Sequence, residues 1–285
     1  MSLSSPPAPV ANVVLVTGAS SGIGEAITRQ LLQDGFTVIA AARNIENMRA
    51  LEALGAHRLC MDLADEGSIQ TAVNGIIATY GGVDILINNA GFGCYGSVED
   101  TPIFDARYQF EVNLFGLARL TQLLLPAMRQ KGTGKIINMS SIIGGKLYTP
   151  LGAWYHASKH ALEGWSDCLR LELSPLGIDV VIVQPGIVHT QVGDSLTGPM
   201  LKRSGDGAYA PLANSIAKAT HKIDNNSNKT KNSSPAVMAH LVSAAVRARR
   251  PKTRYTAGKS ARLLLWLRKW MGDRTFDRII MSTIK

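Results

Sequence analysis

The amino-acid sequence predicts an α/β fold, a doubly wound parallel sheet of the Rossmann type in a single domain. Six short apolar runs are rich in β-branched residues and lack strict alternation, as is typical of strands buried on both faces. Helix-length segments separate these runs, and strand–helix alternation favours right-handed crossovers within one sheet. The 285 residues, 46% of them hydrophobic, are enough for one large core.

The predicted elements alternate up to about residue 190. The predicted strands are Val13–Val16, Thr37–Ala41, His57–Met61, Ile85–Asn88, Ile136–Met139 and Val180–Val183. The predicted helices are Gly24–Gln33, Ser68–Tyr80, Asp105–Gln130 and Tyr155–Leu173.

The alternation stops after the sixth predicted strand. We expect a core of residues 12–190 and 236–258 and a lid of residues 191–235. Within the lid, His221–Pro235 is rich in Asn, Ser and Lys, a composition that predicts a mobile surface loop.

Short polar motifs stand at the ends of four predicted strands. Gly18 follows the first strand, Asn88 ends the fourth, Ser141 follows the fifth and Pro185 follows the sixth. Ligands of doubly wound sheets bind at the carboxyl ends of the strands, near the switch in strand order. The sequence therefore predicts a ligand site at this edge of the sheet.

The first of these motifs is glycine-rich. Thr17–Gly24, TGASSGIG, links a strand to a helix, where glycines permit a tight turn and the helix start offers free N–H groups to a pyrophosphate. A glycine turn without a ligand is the alternative for this motif taken alone. A P-loop is excluded, because Gly258-Lys259-Ser260 would require glycine at the position of Thr253.

Tyr155 and Lys159 form a candidate proton-transfer pair. They lie four residues apart in a predicted helix, so their side chains share one face. A neighbouring cation stabilises the phenolate and lowers the pKa of tyrosine from its usual ~10. A pair with this spacing arises by chance in roughly one chain in three of this composition, so it gains weight only from the other motifs. With the glycine turn, it indicates hydride transfer between a nicotinamide cofactor and a carbonyl or alcohol.

Five motifs together resemble the classical branch of the short-chain dehydrogenase/reductase family over about residues 12–190. They are TGxxxGxG at Thr17–Gly24, NNAG at Asn88–Gly91, Asn113, Ser141 and the Tyr155/Lys159 pair. The resemblance implies that Tyr155 donates a proton to a carbonyl oxygen and that Ser141 polarises this carbonyl. It also implies that Lys159 contacts the nicotinamide ribose, and that Asn113 holds a water linking Lys159 to solvent.

The resemblance distinguishes Ser141 from Ser140. In the family, two apolar residues and a glycine follow the acting serine, as Ile142-Ile143-Gly144 follow Ser141. The interval from Ser141 to Tyr155 is one residue longer than the commonest family spacing. We expect the extra residue in the loop Lys146–Gly152.

The resemblance also implies the cofactor contacts. NNAG supports the sheet and lines the adenosine pocket, Asp62 bonds the adenine edge with Leu63 beside it, and the backbone near Val188 holds the nicotinamide carboxamide. The full predicted set is Gly18, Ser20, Ser21, Gly22, Ile23, Gly24, Arg43, Asp62, Leu63, Asn89, Ala90, Gly91, Tyr155, Lys159, Pro185, Gly186, Val188 and Thr190.

The end of the second strand predicts NADP(H) as the cofactor. NAD sites usually place a carboxylate there for the ribose 2′-hydroxyl, whereas arginine accommodates the 2′-phosphate. Here the residues are Ala41-Ala42-Arg43-Asn44, without a carboxylate. A solvated surface arginine is the alternative interpretation of Arg43.

The positive charge is concentrated in the C-terminal tail. The formal net charge is +9, and residues 246–285 carry 12 Lys/Arg and 2 Asp/Glu, a net of +10, which leaves about −1 for the rest.

Within the tail, residues 259–285, the segment Lys259–Met271 predicts a basic amphipathic helix. Such a helix suits peripheral contact with a membrane; packing on the enzyme body or on a partner subunit is the alternative. Nucleic-acid binding is not expected, because no recognised reading motif accompanies the charge. The apolar arc comprises Leu263, Leu264, Trp266, Leu267, Trp270 and Met271.

The remaining expectations concern substrate, assembly and location. Loops with Leu147, Tyr148 and Leu196 favour a hydrophobic carbonyl or alcohol substrate, and the resemblance allows steroid-, retinoid- or lipid-like ones. Apolar positions on the helices 105–130 and 155–173, which pair across a two-fold axis in the family, predict a homodimer or homotetramer. Three scattered cysteines and no signal-peptide pattern predict a cytoplasmic protein without disulfides or a metal site. A non-catalytic cofactor-binding regulatory or scaffold protein is the rival function.

Overall fold

One parallel sheet forms the centre of the protein. A computed structural model describes residues 12–186, 192–227, 234–257 and 261–284. The strands are β1 (Val13–Thr17), β2 (Thr37–Ala42), β3 (His57–Cys60), β4 (Ile85–Asn88), β5 (Gly134–Met139), β6 (Ile178–Pro185) and β7 (Arg254–Ala257). All pair in parallel in the order β3-β2-β1-β4-β5-β6-β7. The strand order reverses between β1 and β4, where doubly wound sheets open a ligand crevice.

Helices cover both faces of this sheet and extend beyond it. They are α1 (Gly22–Gln33), α2 (Arg49–Glu52), α3 (Glu66–Tyr80), α4 (Ile103–Phe110), α5 (Leu117–Lys131), α6 (Ile142–Gly145), α7 (Ala153–Leu173), α8 (Val192–Ser204), α9 (Ala210–Ser227), α10 (Pro235–Arg247), α11 (Ala261–Trp270) and α12 (Asp273–Ile284). A π-helical turn, Glu111–Gly116, joins α4 to α5.

Two apolar layers hold the helices to the sheet. Val14 and Val16 join Ile27 of α1 and Val242 of α10 in one buried cluster. Leu15, between the two valines, belongs to a second cluster with side chains of α3, α5 and α7. Successive residues of a strand point to opposite faces, so the apolar run without alternation is buried on both sides.

The predicted fold class is confirmed. Each of the six predicted strands is present, with ends that differ from the prediction by at most two residues. The sequence did not reveal β7, whose four residues, RYTA, are only half-buried at the edge of the sheet.

Two expectations about helices and loops were wrong. The segment Asp105–Gln130 is not one regular helix, because the π-helical turn divides it. The predicted loop His221–Pro235 is partly helical, since α9 continues to Ser227 and α10 begins at Pro235. Residues 228–233 of that loop lie outside the described residues.

Two helices occupy the C-terminal tail. In α12, Phe276 is fully buried and its ring centroid lies 5.7 Å from that of Tyr148. The Tyr148 hydroxyl donates a 2.9 Å hydrogen bond to the Asp277 carboxylate. Helix α12 therefore packs on the loop Lys146–Gly152, as the alternative interpretation of the tail expected for this segment.

Helix α11 leaves three large apolar side chains exposed, whereas α12 leaves one, Met281. Trp266 is 58% and Trp270 69% exposed, and Leu263 is exposed beside them. No helix in the described part of the chain is both long and apolar enough to cross a bilayer.

Candidate active site

The glycine-rich turn between β1 and α1 has no room for side chains at two positions. Gly18 has a positive φ of 66°, and a Cβ there would lie 2.8 Å from the Ala90 Cα. A Cβ on Gly24 would lie 2.2 Å from the Gly18 carbonyl oxygen. Only glycine permits this approach of the turn to the NNAG segment.

Hydrogen bonds fix the NNAG segment, Asn88–Gly91, against this turn. The Asn89 side chain donates to the carbonyls of Thr17 and Gly18 at 2.9 and 3.2 Å. In return, the Thr17 hydroxyl accepts bonds from the backbone amides of Asn89 and Ala90 at 3.1 and 3.0 Å. The Asn88 side chain donates to Asn138 of β5 at 2.8 Å. Strands β1, β4 and β5 are thus tied together where the ligand crevice is expected.

The start of α1 lies at the carboxyl edge of the sheet. Ser21 is its N-cap residue, but the Ser21 side chain makes no capping hydrogen bond. Ser21 is exposed, whereas Ser20, Gly22 and Ile23 are half-buried. The first turn of α1 can therefore offer N–H groups to an anion.

Arg43 and Asp62 follow the neighbouring strands β2 and β3. The Arg43 side chain is exposed and donates a 3.0 Å hydrogen bond to the Tyr108 hydroxyl of α4. One Asp62 oxygen accepts from the Ala64 amide at 2.9 Å. Leu63 is buried, and a Cβ on Gly116 would lie 1.9 Å from the Leu63 carbonyl oxygen. The segment after β3 thus packs directly on the π-helical turn.

Lys159 is a buried cation at the end of β5. Its side chain is in α7, is 6% exposed, and donates a 2.8 Å hydrogen bond to the Met139 carbonyl. Burial lowers the pKa of Lys159 to about 8, and the Glu163 carboxylate opposes this shift.

Tyr155 lies one helical turn before Lys159. Burial raises the pKa of the Tyr155 phenol, and a hydrogen bond with Ser141 counteracts that rise. The sequence led us to expect a pKa lowered by Lys159, so the net direction of the shift is a correction. The structure pairs Tyr155 with Ser141 and holds Lys159 against Met139, two residues before Ser141. Because burial favours the neutral form of the phenol, Tyr155 is protonated at neutral pH and can act as an acid.

Asn113 lies within the π-helical turn and is fully buried. Its amide accepts from the Phe92 N–H at 3.1 Å and donates to the Phe92 carbonyl at 3.0 Å and to Ser158 at 3.1 Å. A Cβ on Gly91 would lie 3.1 Å from Asn113 Oδ1 and 3.4 Å from Lys159 Nζ. Asn113 and Lys159 therefore converge on Gly91, and π-helical turns occur frequently at functional sites.

Sequence reasoning missed the Tyr95 side chain beside Tyr155 and gave its neighbour His156 no role in proton transfer. The Tyr95 ring centroid lies 5.7 Å from that of Tyr155 and 5.9 Å from that of His156. Burial lowers the pKa of His156 to about 4, so its ring is neutral and accepts a 3.1 Å hydrogen bond from the Thr149 amide. The position of His156 directly after Tyr155 was visible in the sequence, whereas Tyr95, about 60 positions upstream, had no signal that placed it beside Tyr155.

The loop Lys146–Gly152 contains a strained residue. Leu151 has a φ of 60° and is the non-glycine residue with a positive φ in the part of the chain that the structure describes. Its carbonyl accepts a 2.8 Å hydrogen bond from Gly96. Non-glycine residues in this conformation cost about 1–3 kcal/mol and cluster near functional sites.

The last predicted cofactor segment is only partly described. Pro185 ends β6, and the Gly186 amide donates to the Ala257 carbonyl at 2.7 Å. Val188 and Thr190 lie outside the described residues.

Residues 12–199 match the family described as short chain dehydrogenase. The chain belongs to this family. It is therefore an oxidoreductase acting on CH–OH or C=O groups, with the family's nucleotide-binding Rossmann fold.

Relatives of the chain carry names that agree with this assignment. It is 43% identical to the probable short-chain type dehydrogenase/reductase VdlC of Helicobacter pylori over 62% of this chain and 65% of that protein. It is 36% identical to the uncharacterized oxidoreductase YusZ of Bacillus subtilis over 95% of this chain and 98% of that one. A 3-ketodihydrosphingosine reductase of Bacteroides thetaiotaomicron is 39% identical over 64% and 66% of the two chains.

Solved structures share the fold. A short-chain dehydrogenase from Streptomyces avermitilis has a TM-score of 0.76 at 33% identity, covering 95% of this chain and 94% of that one. A metagenomic short-chain oxidoreductase in complex with NADP has a TM-score of 0.66 at 27% identity, covering 87% and 98%. A short-chain enzyme from Burkholderia phymatum in complex with NAD has a TM-score of 0.76 at 22% identity, covering 91% and 93%, which speaks for the fold alone.

Proposed function

We propose that the protein is an NADP(H)-dependent reductase of hydrophobic ketones or aldehydes, with oxidation of the matching alcohol as the reverse reaction. The observation that carries this proposal is the convergence of Ser141, Tyr155 and Lys159 at the carboxyl end of β5. These residues can polarise a carbonyl, donate a proton and stabilise the resulting phenolate.

The glycine turn suits the pyrophosphate of a dinucleotide. Gly18 and Gly24 leave no space for a Cβ, and the start of α1 lacks a side-chain cap from Ser21. Helix N-termini attract anions through free N–H groups and the helix dipole. The cofactor, when bound, supplies the hydride. The residues proposed to hold it are Gly18, Ser20, Ser21, Gly22, Ile23, Gly24, Arg43, Asp62, Leu63, Asn89, Ala90, Gly91, Tyr155, Lys159, Pro185, Gly186, Val188 and Thr190.

Proton transfer falls to Tyr155. Its phenol donates the proton to the carbonyl oxygen, and the Ser141 hydroxyl donates a hydrogen bond to the same oxygen. The Lys159 cation stabilises the phenolate that remains, because an opposite charge nearby favours the ionised form. The Asn113 side-chain amide bonds both the N–H and the carbonyl of Phe92. Asn113 is the proposed holder of a water that connects Lys159 with solvent.

Arg43 supports NADP(H) over NAD(H). No carboxylate stands at the end of β2, and the exposed Arg43 guanidinium is oriented by Tyr108. A guanidinium matches the geometry of a phosphate group. The NADP complex of the metagenomic relative agrees with this choice.

An apolar wall beside Tyr155 supports a hydrophobic substrate. The half-buried Tyr155 packs against a buried cluster of Tyr95, Leu151, Met200 and Ile216, contributed by separate loops and helices. A lipid-like ketone would place its chain next to this cluster, and the relative named 3-ketodihydrosphingosine reductase fits this class.

A panel of ketones and aldehydes with NADPH absorbance as the readout tests the function. We expect turnover of long-chain or polycyclic ketones, with lower rates on small polar ones. NADPH binding without turnover of any carbonyl or alcohol would favour the rival, a non-catalytic cofactor-binding protein.

We also propose a homodimer or homotetramer formed through α4 and α7. Ile103, Phe104 and Phe115 are exposed there, around a groove of about 330 Å³ that Trp154 of α7 also lines. Exposed apolar patches of this kind mark interaction sites.

A third proposal is peripheral membrane contact through α11. The exposed side chains Leu263, Trp266 and Trp270 recur at helical spacing on one face, and Lys269 is exposed beside them. Tryptophan with flanking cations suits the interface of an anionic bilayer.

A further inference from the structure

A buried carboxylate lies one helical turn beyond Lys159 and takes no part in the proposed proton transfer. Glu163 is 2% exposed. It accepts a 2.9 Å hydrogen bond from the Gln184 amide of β6 and bonds of 3.0 and 3.2 Å from the Arg254 guanidinium of β7. The Lys146 ammonium lies 3.8 Å away. A buried charge is costly unless paired, and these partners provide that pairing.

Glu163 packs closely against the segment that follows β5 and carries Ser141. A Cβ on Gly145 would lie 2.6 Å from Ser140 Oγ and 3.0 Å from Glu163 Oε1. The carboxylate therefore packs against the segment that carries Ser141, and is not merely a surface ion pair.

Lys159 has few other groups that favour its charge. The Met139 carbonyl accepts its hydrogen bond, Asn113 is neutral, and Tyr155 is a protonated phenol at neutral pH. Glu163 lies four residues after Lys159 on the same face of α7, and both side chains are buried. Its carboxylate therefore opposes the lowering of the Lys159 pKa by burial. Arg254 of β7 bonds Glu163 at 3.0 Å and also pairs with Asp167 at 2.6 Å.

We propose that Glu163 is a positioning residue that keeps Lys159 protonated, and that Arg254 limits this effect by neutralising part of the Glu163 charge. The inference rests on the proposed function, since it concerns the lysine assigned to proton transfer. The ion pair of Glu163 and Arg254, which links α7 with the edge strand β7, thereby takes part in the reaction.

The direct test is the titration of Lys159 by NMR in the full-length protein with ¹³C-labelled lysine. The Lys159 signal is assigned by its loss in Lys159→Arg. Glu163→Gln keeps an oxygen for Gln184 but removes the charge, so the midpoint of Lys159 should fall from about 8 by roughly one to two pH units. Arg254→Gln leaves Glu163 less neutralised and should raise the midpoint.

The opposite shifts expected for the Lys159 midpoint in Glu163→Gln and Arg254→Gln separate an electrostatic role from a packing role. If Glu163 and Arg254 served only to hold β7 on α7, both variants would shift Lys159 in the same direction or not at all, and either result would overturn the proposal. Asp167→Asn is the matched control, because it removes a carboxylate bound to the same arginine but two helical turns from Lys159. Its shift should be well below half of that in Glu163→Gln.

Two further measurements keep the test decisive. Should Glu163→Gln not fold, Arg254→Gln still tests the direction of the shift in the Lys159 midpoint. Glu163→Asp should keep the wild-type midpoint because it keeps the charge. In turnover, the alkaline decline of carbonyl reduction should move to lower pH in Glu163→Gln. If the protein reduced no carbonyl, the proposed function would fail, whereas the NMR midpoints would still decide the role of Glu163.

Discussion

Burial favours the neutral form of both Tyr155 and Lys159. The neutral phenol keeps its proton, whereas the neutral amine loses its positive charge. Burial raises the pKa of Tyr155, which keeps the proton available for reduction. Burial lowers the pKa of Lys159 to about 8, which brings loss of the cation close to neutral pH. The pair is thus suited to carbonyl reduction at neutral and mildly acidic pH.

The first prediction concerns this pH dependence. Lys159 is charged below its pKa, so the cation is fully present at lower pH and is lost as pH rises through about 8. We expect kcat/KM for carbonyl reduction to decline there, because the phenolate left by proton transfer is no longer stabilised. A profile that stays level across this range, measured with a substrate that does not titrate, would contradict the role of Lys159.

The second prediction concerns cofactor choice. Arg43→Ala should raise the KM for NADPH roughly 10- to 150-fold, the equivalent of about 1.5–3 kcal/mol for a charge-assisted hydrogen bond, with little effect on NADH. Arg49→Ala is the matched control, since Arg49 is an exposed arginine close in sequence that pairs with Glu46. Equal effects of Arg43→Ala on both cofactors would refute its role.

Residues in contiguous motifs were predictable from sequence, whereas residues defined by distant partners were not. Ser141, Tyr155 and Lys159 meet because strand ends and one helical turn place them together. Glu163 is recognisable only through Arg254, 91 positions away, on a strand that the sequence did not reveal.

At the scale of elements, the errors arose where residue types did not distinguish one element from another. A π-helical turn differs from an α-helix in its backbone hydrogen bonding, so the sequence predicted one continuous segment. The last residues of α9 are rich in Asn, Ser and Lys, a composition that also suits a loop. Strand β7 is short and mixed because only one neighbour, β6, pairs with it.

The third prediction separates the two helices of the tail. Trp266→Ser combined with Trp270→Ser should abolish sedimentation of the full-length protein with anionic liposomes at low salt and spare turnover of a soluble ketone. Each nearby Lys or Arg contributes about 1 kcal/mol, so the attachment should also weaken with salt. Leu54→Ser, which alters an exposed leucine elsewhere, is the control. Failure of the wild-type protein to sediment with anionic liposomes would contradict the membrane contact.

Deletion of the whole tail is a less specific test. It would also remove Phe276 and Asp277, which contact Tyr148 in the loop Lys146–Gly152. Substitutions on α11 leave these contacts in place, and they therefore report on the exposed face alone.

At the scale of the whole molecule, the fourth prediction concerns assembly. Phe104 is 76% exposed on the helix that lines the groove with Trp154. We expect a dimer or tetramer mass in light scattering at micromolar concentration, and a shift towards monomer in Phe104→Asp. Val98→Asp, at an exposed position outside the groove, should keep the wild-type mass. A monomeric wild-type protein would contradict the proposed interface.

Six strands of the sheet were predictable because each is a local apolar run. Substrate identity was not, since the apolar wall combines Tyr95, Leu151, Met200 and Ile216 from separate segments. Packing of the tail on the body of the protein was one of two alternatives from the sequence, but Tyr148 was not recognisable as its partner, because the contact joins positions more than a hundred residues apart.

The central claim, proton transfer from Tyr155 in an NADPH-dependent reductase, is tested most directly by Tyr155→Phe. The substitution removes only the hydroxyl, so NADPH binding measured by fluorescence should stay at the wild-type level. Reduction of a hydrophobic ketone that the wild type turns over should fall by about 10²–10⁴-fold, the usual contribution of a general acid. A variant that binds NADPH and keeps more than about a tenth of the wild-type rate would contradict the account.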